Sequence, residues 1–192
     1  MSTESNLTAL VNILQLAYSG ELAAAYAYRG HWKSLKNTAE ISKIQQIENE
    51  EWLHREKVGC MLKYLNSQPK KSREIKSWVI GHTIGILCHL VGWFIPMYFA
   101  GKLESGNTKE YENAAIYARE LNLLEFEKEL YTMSVVEKEH ENFFLNTIVG
   151  HRLLPLMIII FKWGKTDISL SNDLKSYISS TKTTLQPTRN SK

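Results

Sequence analysis

The chain has 192 residues, 44% of them hydrophobic, which suits one domain with a sizeable core. Four prolines and ten glycines favour long helices over a many-turned sheet. A formal net charge of +3, without a basic stripe interleaved with aromatics, argues against a nucleic-acid partner. Cys60 and Cys88 stand apart with neither Cys-x-x-Cys nor zinc-ribbon spacing, so they read as packing thiols of a reducing compartment.

The opening stretch MSTESNLTALVNILQ puts an acidic residue ahead of its apolar part and lacks the basic flank of a signal peptide, so a cytoplasmic product is expected. The first helix is predicted from about Leu7 to Lys36, with Ser5 or Thr8 as its cap, and Asn37-Thr38 makes the turn. A second helix follows from about Ala39 to Leu65, closed by the polar stretch Asn66–Ser72 with Pro69 inside it.

From Trp78 to Ala100 no Asp, Glu, Lys or Arg occurs. That length could span a bilayer, pack as a buried crossover helix, or lie in a membrane interface as a greasy entrance. His82, His89, three glycines and Pro96 favour the interfacial or entrance reading. The third bundle helix should continue to about Leu121 with a break at Asn122, and the fourth should run from about Leu124 to Val149. The segment RLLPLMIIIFKWG is a second apolar patch that must pack on the bundle or dock on a membrane or partner. Residues 166–192, rich in Ser, Thr, Lys and Asn, read as a disordered tail after a domain covering 1–165.

The chemistry lies in charged residues that interrupt apolar stripes. Ile44, Ile47, Glu51, His54, Val58, Met61 and Leu65 fall at alternating steps of three and four, the spacing of one helix face. Leu123, Phe126, Leu130, Met133, Glu137, His140 and Phe144 repeat the rhythm. A Glu and a His at i and i+3 project from the same side of a helix, close enough to hold one ion together. Glu21 is the one charged member of the face Leu14, Ala17, Tyr18, Ala24, Ala25 and Tyr28. Glu104 interrupts Trp93, Met97, Ala100, Tyr111 and Ala115, although Gly106 and Asn107 loosen the register after it and leave Glu110 and Glu112 as rivals. A buried carboxylate without a partner carries a heavy desolvation cost, so these positions call for a compensating charge or a metal. Glu followed by Glu-x-x-His, used twice, is the pattern of the ferritin-like di-iron or di-manganese four-helix bundle with a long crossover.

The stretch Gly20–His31, reading GELAAAYAYRGH, resembles the first-helix motif of the Coq7 demethoxyubiquinone hydroxylases, and Glu51/His54, Glu104 and Glu137/His140 match the rest of that family's ligand set. The similarity covers about residues 7–165. This chain has His31 where the family usually has Gln, and Glu110 before Tyr111 where the family has His. The resemblance implies an all-α, ferritin-like bundle with additional apolar helices, attached peripherally to the inner (cell) membrane.

The activity it implies is a di-iron monooxygenase hydroxylating a polyprenylated quinone precursor with O2. Metal ligands would be Glu21, Glu51, His54, Glu104, Glu137 and His140, for two iron ions, with manganese an option. Tyr28 and Tyr111 lie one or two turns from these residues and are candidates for orienting groups around the ligands or guiding electrons, or else are core aromatics. No nucleotide fingerprint is visible, so an external electron donor is expected, and a homodimer is compatible with the pattern. The alternatives are a ferritin-like protein that oxidises or sequesters iron or removes peroxide, and a metal-free helical interaction module.

Overall fold

A computed structural model of the chain describes residues 3–164, and every element in that range is helical. The order is α1 (Thr3–Ser34), α2 (Thr38–Tyr64), α3 (Lys71–Leu87), α4 (Phe94–Glu120), α5 (Leu124–Ile148) and α6 (Leu154–Phe161). The all-α bundle expected from the sequence is therefore what forms. The tail from 166 onward lies outside the described residues.

Two compact units divide the chain, one up to Thr147 and one from Ile148 onward. In the first, one apolar core draws on α1 (Leu10, Leu14, Ala17), α2 (Val58, Met61, Leu62), α4 (Tyr111, Ala114, Ala118) and α5 (Leu130, Met133). These residues recur every three or four positions along each helix, which is why four amphipathic faces can close on each other. In the second unit, α6 ends on Lys162 in the left-handed conformation and exposes Leu156, Ile159 and Ile160.

Asparagines mark three helix ends. The Asn37 side chain accepts from Ala39 N at 2.9 Å and Glu40 N at 3.3 Å, capping α2. Asn66 and Asn122 take positive φ after α2 and α4, a backbone region that asparagine tolerates better than most residues. The predicted break at Asn122 is found. The first helix, in contrast, is already wound by Thr3, so Ser5 and Thr8 sit inside its first turns and neither is the cap.

The apolar stretch 78–100 is divided between two helices, because the chain turns at 88–93 with Gly92 at φ 78°. Among the described residues no helix is long and apolar enough to cross a membrane. One face of α3 lies against α1 at backbone distance. A Cβ added to Gly30 would overlap the Gly85 Cα, and one added to Gly81 would sit 2.6 Å from the Ala23 carbonyl oxygen. The other face leaves Trp78 and Ile86 exposed, and Leu90 is exposed in the turn that follows, so α3 combines the expected packing role with an uncovered apolar side. Glu74 secures α3 further, accepting from Ser19 Oγ at 2.8 Å and pairing with Arg55 of α2.

Candidate metal centre

Each of the four bundle helices carries its charged interruption to one place. Glu21 comes from α1, Glu51 and His54 from α2, Glu104 from α4, and Glu137 and His140 from α5; none is more than 4% exposed. Glu104 is completely buried, and α4 continues unbroken through Gly106 and Asn107. The register therefore selects Glu104 over Glu110 and Glu112. Asn107 does not loosen the site, since its Nδ2 donates to Glu104 Oε2 at 3.0 Å.

Two overlapping groups emerge: Glu21, Glu51, His54 and Glu137, and Glu51, Glu104, Glu137 and His140. Within each group one ligand atom per residue lies within 4.8 Å of all the others. Glu51 and Glu137 belong to both, so the geometry offers two adjacent cation positions with two carboxylates common to them.

His54 Nδ1 is 2.9 Å from Glu137 Oε1, while His140 Nδ1 lies 3.4 Å from Glu137 Oε2 and 3.5 Å from Glu51 Oε1. Despite this crowding, both oxygens of Glu51 and of Glu137, Glu21 Oε2 and the two Nδ1 atoms are buried without an aligned hydrogen bond among the described residues. Buried polar atoms are nearly always satisfied, so seven orphans converging on one region fit a bound ion that takes their lone pairs. Four carboxylates and two imidazoles, with neither cysteine in the cluster, are a donor set for hard or borderline cations such as iron or manganese.

The atoms around the ligands are arranged to orient them. His140 Nε2 lies 2.7 Å from Glu50 Oε2, an arrangement that fixes the ring with Nδ1 turned inward. Tyr28 donates its hydroxyl hydrogen to Glu104 Oε1, and Tyr111 donates to Glu21 Oε1. Both tyrosines singled out in the sequence thus touch a candidate ligand, and both are buried in the core as well. The Tyr111 ring also meets His54 edge-on at 5.9 Å. Glu50 and Asn107 had no signature in the sequence. Glu50 sits one position before Glu51, off the apolar stripe, and its partner is 90 positions away.

Without a cation the carboxylates compete for protons. Burial, and then the charges of Glu137 and Glu21, push Glu51 well above the ordinary carboxyl range; burial and Glu137 do the same to Glu104. Burial raises Glu21 too. At Glu137 burial acts in that direction as well, but the contacts with His140 and His54 outweigh it and hold the carboxyl below its usual value. Burial alone would lower His54, yet its contact with Glu137 raises it.

Comparison of the chain with family models, with curated proteins and with solved structures yields no match in any of the three. What the centre does must therefore be read from its own surroundings.

Two cavities adjoin it. The larger, about 400 Å³, is almost wholly apolar, and its walls include Tyr28, His31, Ile84, Val91, Phe99 and Leu103. His31 is 2% exposed, its Nε2 has no hydrogen-bond partner among the described residues, and burial pulls its pKa down to about 4. Phe144 of α5 stacks on both the Tyr28 and His31 rings, with interplanar angles of 9° and 13°. The smaller cavity, about 200 Å³, lies between α1 and α4 and is lined by Gly20, Glu21, Asn107, Glu110 and Tyr111 among others.

Proposed function

We propose that this chain is a di-iron carboxylate monooxygenase of the demethoxyubiquinone hydroxylase type, acting on a polyprenylated quinone precursor with dioxygen. The observation that carries the reading is the pairing of the six-residue cluster with an apolar cavity at its edge. Tyr28 belongs to both, lining the cavity and donating to Glu104. A pair of ferrous ions, when bound, supplies the electrons that reduce dioxygen, and manganese would fit the same donors.

The remaining work falls to the protein. Glu51 and Glu137 would hold both ions, Glu21 with His54 one of them, and Glu104 with His140 the other. Tyr28 and Tyr111 keep the two terminal carboxylates oriented through their hydroxyl hydrogens. The apolar walls of the larger cavity exclude water and match an aromatic head with a hydrocarbon tail. Its volume of about 400 Å³ lies in the range of small-ligand pockets, so a long tail would extend beyond it. The exposed Trp78 and Ile86 on α3, with Leu90 in the turn after it, support docking at a membrane surface, where such tails reside. The same apolar cavity favours this reading over a ferritin-like iron store, whose cargo is a hydrated ion. Electrons would come from a separate donor.

Purified, iron-loaded protein supplied with a reductant and oxygen should convert demethoxyubiquinone to the hydroxylated product. No conversion, in a parallel assay where an authentic hydroxylase of that family turns over, refutes the proposal.

A further inference from the structure

The larger cavity, almost wholly apolar, is poorly suited as a route for metal to the centre. A divalent cation sheds its water reluctantly and does so only where oxygen or nitrogen donors replace it. The larger cavity offers it little besides Tyr28, His31 and Cys88. The smaller one is different. Its rim includes Leu16 and Leu103, each about half exposed, with the half-buried carboxylate of Glu110 beside them, and its inner end is the buried Glu21 and Tyr111.

Three further observations bear on it. Glu21, 3% exposed, lines this cavity and carries a buried Oε2 without a hydrogen-bond partner among the described residues, an acceptor waiting at the inner end. Glu110 forms no ion pair among the described residues, and burial raises its carboxyl with no cation to offset it. Gly20 lines the cavity at the point where α1 passes it, and a Cβ built there meets nothing within 4 Å, so the glycine leaves open space where another residue would intrude.

We propose that the α1/α4 cavity is the entry port for the metal ions, with Glu110 as a transient cation-binding residue that passes each ion inward to Glu21. Asn107, whose side-chain amide donates to Glu104, contributes a neutral carbonyl along the same wall. The structure thereby separates two kinds of traffic: an apolar molecule by one cavity and charged ions by the other, the two sharing Ala24 and Leu103 in their walls. The inference rests on the cluster being a metal centre and not on which reaction follows.

The test follows cobalt(II) uptake by the full-length, metal-free chain in a rapid-mixing experiment, read by visible absorbance, with the final metal content measured separately. Glu110→Gln should load about ten-fold more slowly at low ionic strength, the order of effect a steering charge has on an association rate, and reach the same final content. Glu110→Asp keeps the charge and should load near the wild-type rate. Gly20→Leu, which fills the passage, should also be slow, while Glu56→Gln, at a carboxylate away from the cavity, should not. Uptake by Glu110→Gln at the wild-type rate overturns the port while leaving the metal centre standing. Absence of cobalt from the wild-type chain overturns both.

Discussion

His31 makes a quantitative acid-stability prediction. Its imidazole is buried against Phe144 in the wall of the apolar cavity, and burial holds its pKa at about 4, against an ordinary value of 6.5. A histidine with a depressed folded-state pKa contributes stability that is complete above the unfolded value and is lost as pH falls from about 6.5 towards about 4. Two and a half pKa units correspond to roughly 3 kcal/mol, of which about 2.5 kcal/mol should be gone by about pH 4.5.

His31→Gln removes the titrating group while keeping a polar side chain of similar size. Whatever the amide costs or gains is independent of pH, and the carboxylate cluster titrates in both proteins, so both effects cancel in a double difference. Urea denaturation of the metal-free wild type and variant at about pH 7.5 and about pH 4.5 measures that difference. The wild type should lose about 2 to 3 kcal/mol more than the variant over this interval. Parallel losses in the two proteins would show that the imidazole takes up a proton in the folded state without penalty, and the buried, neutral placement of His31 would be wrong.

Three other outcomes follow from the geometry. Glu51→Ala or Glu137→Ala should abolish stoichiometric metal, because each carboxylate belongs to both cation positions, whereas Glu21→Ala should leave the position around Glu104 and His140 occupied; elemental analysis distinguishes these cases. Metal binding should release protons and tighten as pH rises, since burial and neighbouring carboxylates raise the proton affinity of Glu51 and Glu104 in the metal-free protein and a cation must displace whatever protons they hold. Calorimetric titration with iron(II) or manganese(II) in buffers of different ionisation enthalpy reads that release, and binding without proton exchange would contradict it. Gly30→Ala should cost at least about 1 to 3 kcal/mol in a denaturant melt, because the new methyl group meets the Gly85 backbone, which cannot rotate away as a side chain could.

The centre could be read in the sequence because of a local conflict: charged residues occupy positions whose neighbours three and four away are apolar. Glu51 with His54 and Glu137 with His140 stand out on that ground, and helical geometry alone places each pair on one face. Glu104 was harder, since Gly106 and Asn107 argue locally against the helix that tertiary packing nevertheless maintains. The split of 78–100 was not visible either. Its glycines looked alike in the sequence, but Gly81 and Gly85 serve the close approach to α1 while Gly92 makes the turn. The contact of Glu50 with His140 depends on how α2 and α5 are rotated against each other, which no spacing within either helix specifies.

At the Gly30–Gly85 contact two main chains touch with no side-chain layer between them. A cushion of leucines could deform and absorb a push; bare backbone cannot. A load applied to the uncovered flank of α3 is therefore handed directly to the rod that bears Glu21 and Tyr28, a rigid mechanical link between the outer surface and the carboxylate cluster.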